Sequence, residues 1–186
     1  VKENRNEQII TITKTTIKNT KTELTADEYG RSIEKIIAKV SDYIAKELIR
    51  QSVSNKSDYV EITVKSNGGN KADGEKQTEL EIPVSVIEFV AADTNAALVV
   101  KTGSGQVTLD NKALGTIAAA AGGESLRIIV TANMKLKESQ KPAADAIGKS
   151  GVIFDVSAYI GNTRIYDLKD GKEEILLPVN LKGKDI

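Results

Sequence analysis

The chain has 186 residues, which is long enough for one domain with a sizeable core or for two small lobes that share one. Its 26 basic and 26 acidic side chains cancel to a formal net charge of zero, and only 4% of the residues are aromatic. This balance provides no field that attracts nucleic acid or anionic lipid, and the scarcity of rings weakens the case for a surface that stacks bases or sugars. We therefore expect no nucleic-acid partner and no membrane insertion.

Two residue types with special chemistry, Cys and His, are missing from the sequence. Their absence excludes a disulfide framework, a Cys nucleophile, a Ser-His-Asp triad and a Cys/His zinc site. No apolar run approaches the roughly 20 residues that span a bilayer, and no signal peptide is visible. The sequence predicts no catalytic residue, no cofactor and no metal site. Because the chain begins at Val1, we expect its targeting and anchoring segments to lie outside this fragment.

The first third of the chain predicts one strand and one long helix. Residues 9–17 are rich in β-branched side chains, which favour a half-exposed edge strand. Thr25-Ala26-Asp27-Glu28 has the form of a helix capping box. Apolar residues then recur every three or four positions, at Ile33, Ile36, Ile37, Val40, Ile44 and Leu48. This spacing predicts a long N-terminal helix from Ala26 to near Gln51.

Two strands are expected next. Residues 59–65 alternate between apolar and polar side chains, which predicts a strand with Val60, Ile62 and Val64 pointing inward. Residues 66–76 contain several Gly and Asn residues and indicate a mobile loop, after which residues 78–82 predict another strand. We expect these two strands to be neighbours.

The segment 79–133 contains the same pattern twice. An offset of 27 positions carries Leu80 to Val107, and one inserted residue raises the offset to 28 in the second half of each copy. Each copy, residues 80–102 and 107–130, is predicted to form a strand, a short helix and a strand. Such a pair is typical of a scaffold, because its helices present small apolar side chains for packing.

Turn and cap residues punctuate this repeat. Pro83 suits the first position of the first helix, and Asp110 is the expected N-cap of the second. Gly103-Ser104-Gly105 predicts a tight connection between the two copies, and Gly122-Gly123 predicts the end of the second helix.

The C-terminal third predicts three strands, at residues 152–157, 163–168 and 175–181, joined by hairpin turns. The sequence thus predicts an α+β fold. Its mixed or antiparallel sheet would carry one long N-terminal helix and two short helices from the duplicated unit, followed by an antiparallel β meander. We expect a single module over residues 1–186, divisible into an α+β lobe, 1–133, and a meander lobe, 134–186.

Several stretches resemble binding motifs without meeting their requirements. Residues 143–150 match a relaxed phosphate-loop pattern, but a strand rather than a helix is expected after them. Gly103-Ser104-Gly105 lacks the third glycine of a dinucleotide fingerprint. Asn55-Lys56-Ser57 is an acceptor sequon, which marks an exposed loop. None of these stretches predicts a nucleotide site.

Acidic and aromatic residues offer two further candidates. Asp167, Asp170, Glu173 and Glu174 could form an acid/base pair or a calcium site, although a hairpin turn explains the same residues and the EF-hand spacing is not met. The loop 67–74 could bind calcium, but its composition is typical of a flexible loop. The five tyrosines, Tyr29, Tyr43, Tyr59, Tyr159 and Tyr166, are scattered and predict no stacking platform.

The order of these pieces resembles a known module. The segments that carry the resemblance are the Thr-rich first strand, the capped helix and residues 60–64, 80–83, 97–102, 107–114 and 154–157, with Pro178 on a characteristic Leu/Val-Pro position. The module is found in cell-surface proteins of Gram-positive, mainly clostridial and bacillar, bacteria, often next to surface-layer homology repeats.

What the resemblance implies is an extracellular, non-catalytic module with a structural or adhesive role. Its partners would be other domains of surface proteins or polymers of the cell wall and the extracellular space. Two alternatives remain open at this point. One is a carbohydrate-binding accessory module of a polysaccharide-degrading or wall-associated enzyme, and the other is a hydrolase that uses two carboxylates about 5 to 10 Å apart.

Overall fold

The computed structural model describes residues 9–26, 30, 32–65, 76–132 and 154–176. They form three helices and eleven strands. The helices are α1 (Asp42–Asn55), α2 (Val84–Asp93) and α3 (Asn111–Ala121). The strands are β1 (Ile12–Ile17), β2 (Lys21–Ala26), β3 (Ser32–Lys39), β4 (Tyr59–Val64), β5 (Lys76–Ile82), β6 (Ala97–Thr102), β7 (Gly105–Leu109), β8 (Leu126–Ala132), β9 (Phe154–Ile160), β10 (Thr163–Ile165) and β11 (Glu173–Leu176).

The strands form two mixed sheets. Sheet A has the order β1-β4-β6-β7-β11, and sheet B has the order β10-β9-β8-β5-β3-β2. The inner faces of both sheets and the apolar sides of all three helices contribute to one hydrophobic cluster. Successive residues of a strand point to opposite sides, so charged and polar side chains on the outer faces alternate along each strand with apolar side chains on the inner faces.

Three successive strand–helix–strand units cross from one sheet to the other. They are β3-α1-β4, β5-α2-β6 and β7-α3-β8, and each helix starts within three residues of the end of a strand. The N-cap side chains of Ser41 and Asp110 accept hydrogen bonds from Ile44 N and Ala113 N, while Pro83 occupies the cap of α2 without such a bond. The predicted cap at Asp110 is confirmed. Gly122 ends α3 in the left-handed conformation, as its sequence predicts.

The second and third units are related by an approximate two-fold axis, which the strand registers reveal. In sheet A, Leu98 faces Leu109, and in sheet B, Leu126 faces Ile82. Leu126 lies 28 positions after Leu98, and Ile82 lies 27 positions before Leu109, so the repeat relates the first of these pairs to the second. They also carry the pair of Val100 and Val107 onto that of Ile128 and Leu80. The two copies therefore exchange strands between the sheets and pack α2 against α3.

The predicted long N-terminal helix is wrong. Residues 32–39 form β3, which lies between β2 and β5, and Thr25 lies in β2 rather than at a helix start. The helix begins only after Ser41. Three isoleucines, Ile33, Ile36 and Ile37, favour the pleated backbone, and the spacing of Ile36, Ala38 and Val40 is the alternation of a strand with one buried face. The apolar residues of this segment fit both the spacing of a helix and the alternation of a strand. Pairing with β5 stabilises the strand.

Three other expectations of the sheet arrangement are wrong. The strands at 59–65 and 78–82 are not neighbours, since β4 lies in sheet A and β5 in sheet B. The C-terminal strands do not form one meander, because β9 and β10 extend sheet B whereas β11 pairs with β7 in sheet A. A single sheet is also wrong, because the strands form two mixed sheets. Of the loop predicted at 66–76, residues 66–75 lie outside the described residues, and Lys76 is the first residue of β5.

Candidate binding cleft

A cleft of about 230 Å³ lies where the β9–β10 end of sheet B meets the β7–β11 end of sheet A. Its floor is apolar and comes from both sheets and α3. Its rim is polar and carries the charged side chains of β10 and β11. The lining residues are Leu109, Ile117, Val156, Ala158, Arg164, Ile165, Tyr166, Leu168 and Glu173.

The position of the cleft follows from the two-fold relation. In the first half, β3 and β4 flank the repeat, and α1 joins them and packs against α2. The equivalent flanking strands in the second half are β11 and β9, next to β7 and β8. Among the described residues no helix joins these two strands, and the cleft lies beside α3, where α1 lies beside α2. The cleft therefore occupies the position that α1 fills in the first half.

One arginine organises the rim. The Arg164 guanidinium lies 5.1 Å from the centre of the Tyr166 ring, and its Nη2 is 3.8 Å from Asp155 Oδ1. The contact to Asp155 is long for an ion pair and both side chains are partly exposed, so it leaves donors of the guanidinium free for another acceptor. The Tyr166 side chain is 83% exposed and offers the second face of its ring to solvent.

Glu173 brings a second carboxyl to the cleft. Partial burial raises its pKa above the ordinary value, and the negative charge of Asp155 raises it further. Both effects disfavour the ionised form, so a ligand that donates a hydrogen bond to Glu173 would relieve part of this cost. A guanidinium donor and a carboxyl acceptor therefore lie at the edge of the cleft, next to its apolar floor.

Residues 166–172 form a strap that holds one side of the cleft. Lys169 N donates to Asp167 Oδ1 at 2.7 Å, and Gly171 N donates to Leu168 O at 2.9 Å. Thr116 Oγ1, in α3, donates to Leu168 O at 3.3 Å. A Cβ atom on Gly171 would lie 2.4 Å from the backbone of Ala113, so only glycine permits this approach to α3.

Asp110 joins the strap to the start of α3. Its backbone N donates to Lys172 O at 3.1 Å, and its side chain caps the helix. Burial alone would raise the pKa of Asp110, but backbone hydrogen bonds from Lys172 and Ala113 to the carboxylate hold it below the ordinary value. Asp110 therefore fixes both the strap and the start of α3.

The outer face of sheet B carries a network of ion pairs. The Glu79 side chain is only 10% exposed, with Oε2 2.7 Å from Lys35 Nζ and Oε1 3.1 Å from Arg127 Nη1. The Arg127 guanidinium lies 5.3 Å from the centre of the Tyr159 ring. Lys35 and Arg127 are both engaged with Glu79, so this network is better suited to holding β3, β5, β8 and β9 together than to receiving a ligand.

The outer face of sheet A carries an ion pair beside a shallow depression. Lys101 Nζ lies 2.9 Å from Glu61 Oε2 across β6 and β4. Ile12, Tyr59 and Thr108 lie around this pair on the same face. A depression of about 260 Å³ lies beside this pair and is more open to solvent than the cleft.

The acidic residues singled out in the sequence separate in the structure. Asp167 caps the strap and Asp170 lies in its turn, while Glu173 lines the cleft and Glu174 lies on the outer face of sheet A. The described residues contain no group of three or more acidic side chains positioned to hold a metal ion. The second loop proposed for calcium, 67–74, and the stretch 143–150 lie outside the described residues.

The remaining candidates have structural roles or stay on the surface. Gly103 to Gly105 form the β6–β7 turn, where Thr102 Oγ1 accepts from Ser104 N and Gly105 N. Asn55 Nδ2 in the sequon donates to Thr13 Oγ1 at 3.3 Å. The described tyrosines lie on separate surfaces, Tyr43 on α1, Tyr59 on sheet A, Tyr159 on sheet B and Tyr166 at the cleft, and Tyr29 lies outside the described residues.

Sequence reasoning missed Arg164 and Asp155. They are 9 positions apart on neighbouring strands, and neither belongs to a motif. The one signal that pointed to this region was the turn-like composition around Asp167, a residue that directly follows Tyr166.

No family model, no curated protein and no solved structure matches this chain. None of the described helices is both long and apolar enough to cross a membrane.

Proposed function

We propose that this chain is a non-catalytic extracellular module of a bacterial cell-surface protein of the surface-layer type, with a structural or adhesive role. Its likeness to modules of Gram-positive surface proteins supports the setting. Its partners would be neighbouring domains of surface proteins or polymers of the wall.

One observation carries the structural role: several buried or half-buried polar side chains link elements that are distant in the sequence. Thr13 Oγ1 and Ser57 Oγ lie 2.6 Å apart in a buried hydrogen bond. Asn111 Nδ2, at the start of α3, donates to Val90 O and Thr94 O at 2.9 Å and so ties the second repeat to the end of the first. Side chains held in this way cross-link the elements of a scaffold, since an unsatisfied buried group would cost about 1–3 kcal/mol.

The test measures turnover and binding on the same material. The purified chain is incubated with Gram-positive cell walls and with plant polysaccharides, and both the bound protein and the released reducing ends are measured. We expect no release above the protein-free control. Release that the double substitution Asp155→Asn and Glu173→Gln abolishes would contradict the proposal and support a carboxylate-dependent hydrolase.

The surface setting has its own test. Antibodies raised against the chain should label intact cells of the source bacterium without permeabilisation. Labelling that requires permeabilisation would contradict the extracellular setting.

A second candidate, carbohydrate binding, is favoured by the cleft. Tyr166, Arg164 and Glu173 form a rim of one aromatic ring, one donor and one acceptor over an apolar floor, which is the composition of many small-molecule sites. A glycan array probed with the chain and with Tyr166→Ala tests it, with Tyr43→Ala as the matched control because Tyr43 is an equally exposed ring on α1. Silence of the chain across wall and plant glycans would eliminate this candidate.

A further inference from the structure

We infer that the cleft binds a single neutral pyranose unit at the end of a glycan rather than the interior of an extended chain. This inference rests on the carbohydrate-binding candidate and specifies its ligand.

Size is the first argument. Sites that enclose drug-sized ligands measure roughly 300–1,000 Å³. The cleft measures about 230 Å³, which is below this range. A ligand held inside it is therefore limited to about one sugar ring.

The walls give the second argument. The strap runs from β10 in sheet B to β11 in sheet A and is anchored to α3 by the Thr116 hydrogen bond and by the close approach of Gly171. It therefore closes the cleft on one side. A polysaccharide running through the cleft would need an exit on both sides, whereas a chain end needs only one.

The chemistry of the rim gives the third argument. The apolar floor suits the C–H face of a sugar ring, and the exposed face of the Tyr166 ring can stack on it. Vicinal hydroxyls can accept from the planar Arg164 guanidinium and donate to the Glu173 carboxyl. A donor and an acceptor on the same rim match a hydroxyl pair, because a hydroxyl group has both functions.

Charge favours a neutral sugar. Among the described residues, Arg164 is the cation that lines the cleft, and the carboxyls of Asp155 and Glu173 belong to the same edge of it. An anionic sugar would be repelled by these two carboxyls, and Asp155 already competes for the guanidinium. A ligand with hydroxyls alone avoids this repulsion.

The test compares affinity with chain length. Isothermal titration calorimetry is carried out on the full chain with the methyl glycosides of glucose, galactose, mannose and N-acetylglucosamine, and with linear oligomers of two to six units of each sugar. We expect at least one methyl glycoside to bind, and its oligomers to bind with a Kd within about threefold of that value, because one unit provides all the contacts. Affinity that rises about tenfold or more from one unit to four would overturn the single-unit inference but keep carbohydrate binding. Absence of binding at every length would overturn both.

Substitutions locate the binding. Arg164→Lys keeps the charge but loses the planar fork, and Glu173→Gln keeps the shape but loses the carboxyl. Each change, and Tyr166→Ala, should weaken binding of the methyl glycoside by about tenfold or more. Tyr43→Ala should leave the affinity unchanged. Circular dichroism checks that each variant folds, and unchanged affinity in all three folded cleft variants would show that the sugar binds elsewhere.

Discussion

The two copies of the strand–helix–strand unit, β5-α2-β6 and β7-α3-β8, share one register but differ in their surroundings. Leu109 and Ile117 of the second copy are buried and also form part of the floor of the cleft, while their equivalents in the first copy, Ile82 and Val90, are buried in the core where α1 packs against α2. The same sequence pattern therefore builds a closed core on one side and a cleft on the other. What flanks a repeat, rather than the repeat itself, decides whether its apolar residues become a site.

The largest effects should come from the shared core and should be equal in the two copies. Ile87 and Leu114 occupy equivalent positions on α2 and α3, and both side chains are fully buried. Substituting either by alanine should lower the free energy of unfolding by about 2–5 kcal/mol. Urea denaturation of the two variants measures this loss. A difference above about 2 kcal/mol between them would show that the copies are not equivalent in the core.

Two glycine substitutions should act in opposite directions. Gly171→Ala places a Cβ 2.4 Å from the backbone of Ala113 and should push the strap off α3, at a cost of about 1–3 kcal/mol. Gly115→Ala, in the interior of α3, meets no atom within 4 Å. It should stabilise the chain by about 0.5–1 kcal/mol, since glycine weakens a helix interior. Thermal denaturation distinguishes the two, and stabilisation by Gly171→Ala would contradict the described contact.

The helix caps distinguish the copies on a smaller scale. Asp110→Ala removes the side-chain cap of α3 and should cost about 1 kcal/mol, while Asp110→Asn should keep most of the stability because Asn also caps. Pro83→Ala in the first copy removes no cap bond. Chemical denaturation should therefore show a larger loss for Asp110→Ala than for Pro83→Ala, and the reverse order would refute the assignment of the cap.

The smallest effect is a dependence on pH in the second half. Because the folded pKa of Glu173 is raised, both the folded and the unfolded chain hold the proton at about pH 3, and the unfolded chain loses it first as the pH rises. The wild type should therefore lose stability relative to Glu173→Gln as the pH rises through the ordinary range of a glutamate, about 4. A difference in Tm that stays constant over this range would contradict a raised pKa.

Glu47 provides the control of opposite sign. The hydrogen bonds from Arg50 and then Gln51 lower the pKa of its carboxyl to about 2. The stability that they contribute is present above the ordinary value and is lost as the pH falls towards 2. The wild type should therefore gain stability relative to Glu47→Gln as the pH rises through about 4, with a small amplitude because the pair is exposed to solvent.

Local sequence predicted the repeat because its signals agree. The offset, the cap at Asp110 and the end of α3 at Gly122 each point to the same elements. The region from residue 32 to 55 could not be predicted in the same way. Its β-branched residues and its helical spacing point to different structures, and Ser41, the true N-cap, lies inside the predicted helix. Pairing with β5, which is 42 positions away between Ala38 and Leu80, resolved the conflict.

The candidate cleft was less accessible to sequence reasoning than the fold. It forms between β9 and β10 of one sheet and β7 and β11 of the other, so its residues come from four strands, α3 and the strap. A single meander was expected there, and that arrangement would have left Glu173 far from Leu109. Their proximity depends on the pairing of β11 with β7 in sheet A, whereas β9 and β10 lie in sheet B. Such long-range pairing has no local signal.

The shared register of the two copies is the central claim, and engineered disulfides test it. The chain contains no Cys, so each pair can be introduced alone. Val99 faces Thr108 in sheet A, and its equivalent pair is Arg127 and Glu81 in sheet B. In an antiparallel pair, the Cα atoms of directly opposed residues lie about 4.5–5.5 Å apart, which is within the range of a disulfide. The Cα atoms of diagonal neighbours lie about 7–8 Å apart, which is beyond it.

The decisive measurement is the fraction of disulfide that forms in the folded double-cysteine variants, determined by mass spectrometry. We expect a high fraction for cysteines at Val99 and Thr108 and also at Glu81 and Arg127. We expect little for the diagonal pairs, Val99 with Gln106 and Arg127 with Glu79, which are themselves equivalent. Preferential oxidation of a diagonal pair, or of the opposed pair in only one sheet, would contradict the two-fold relation.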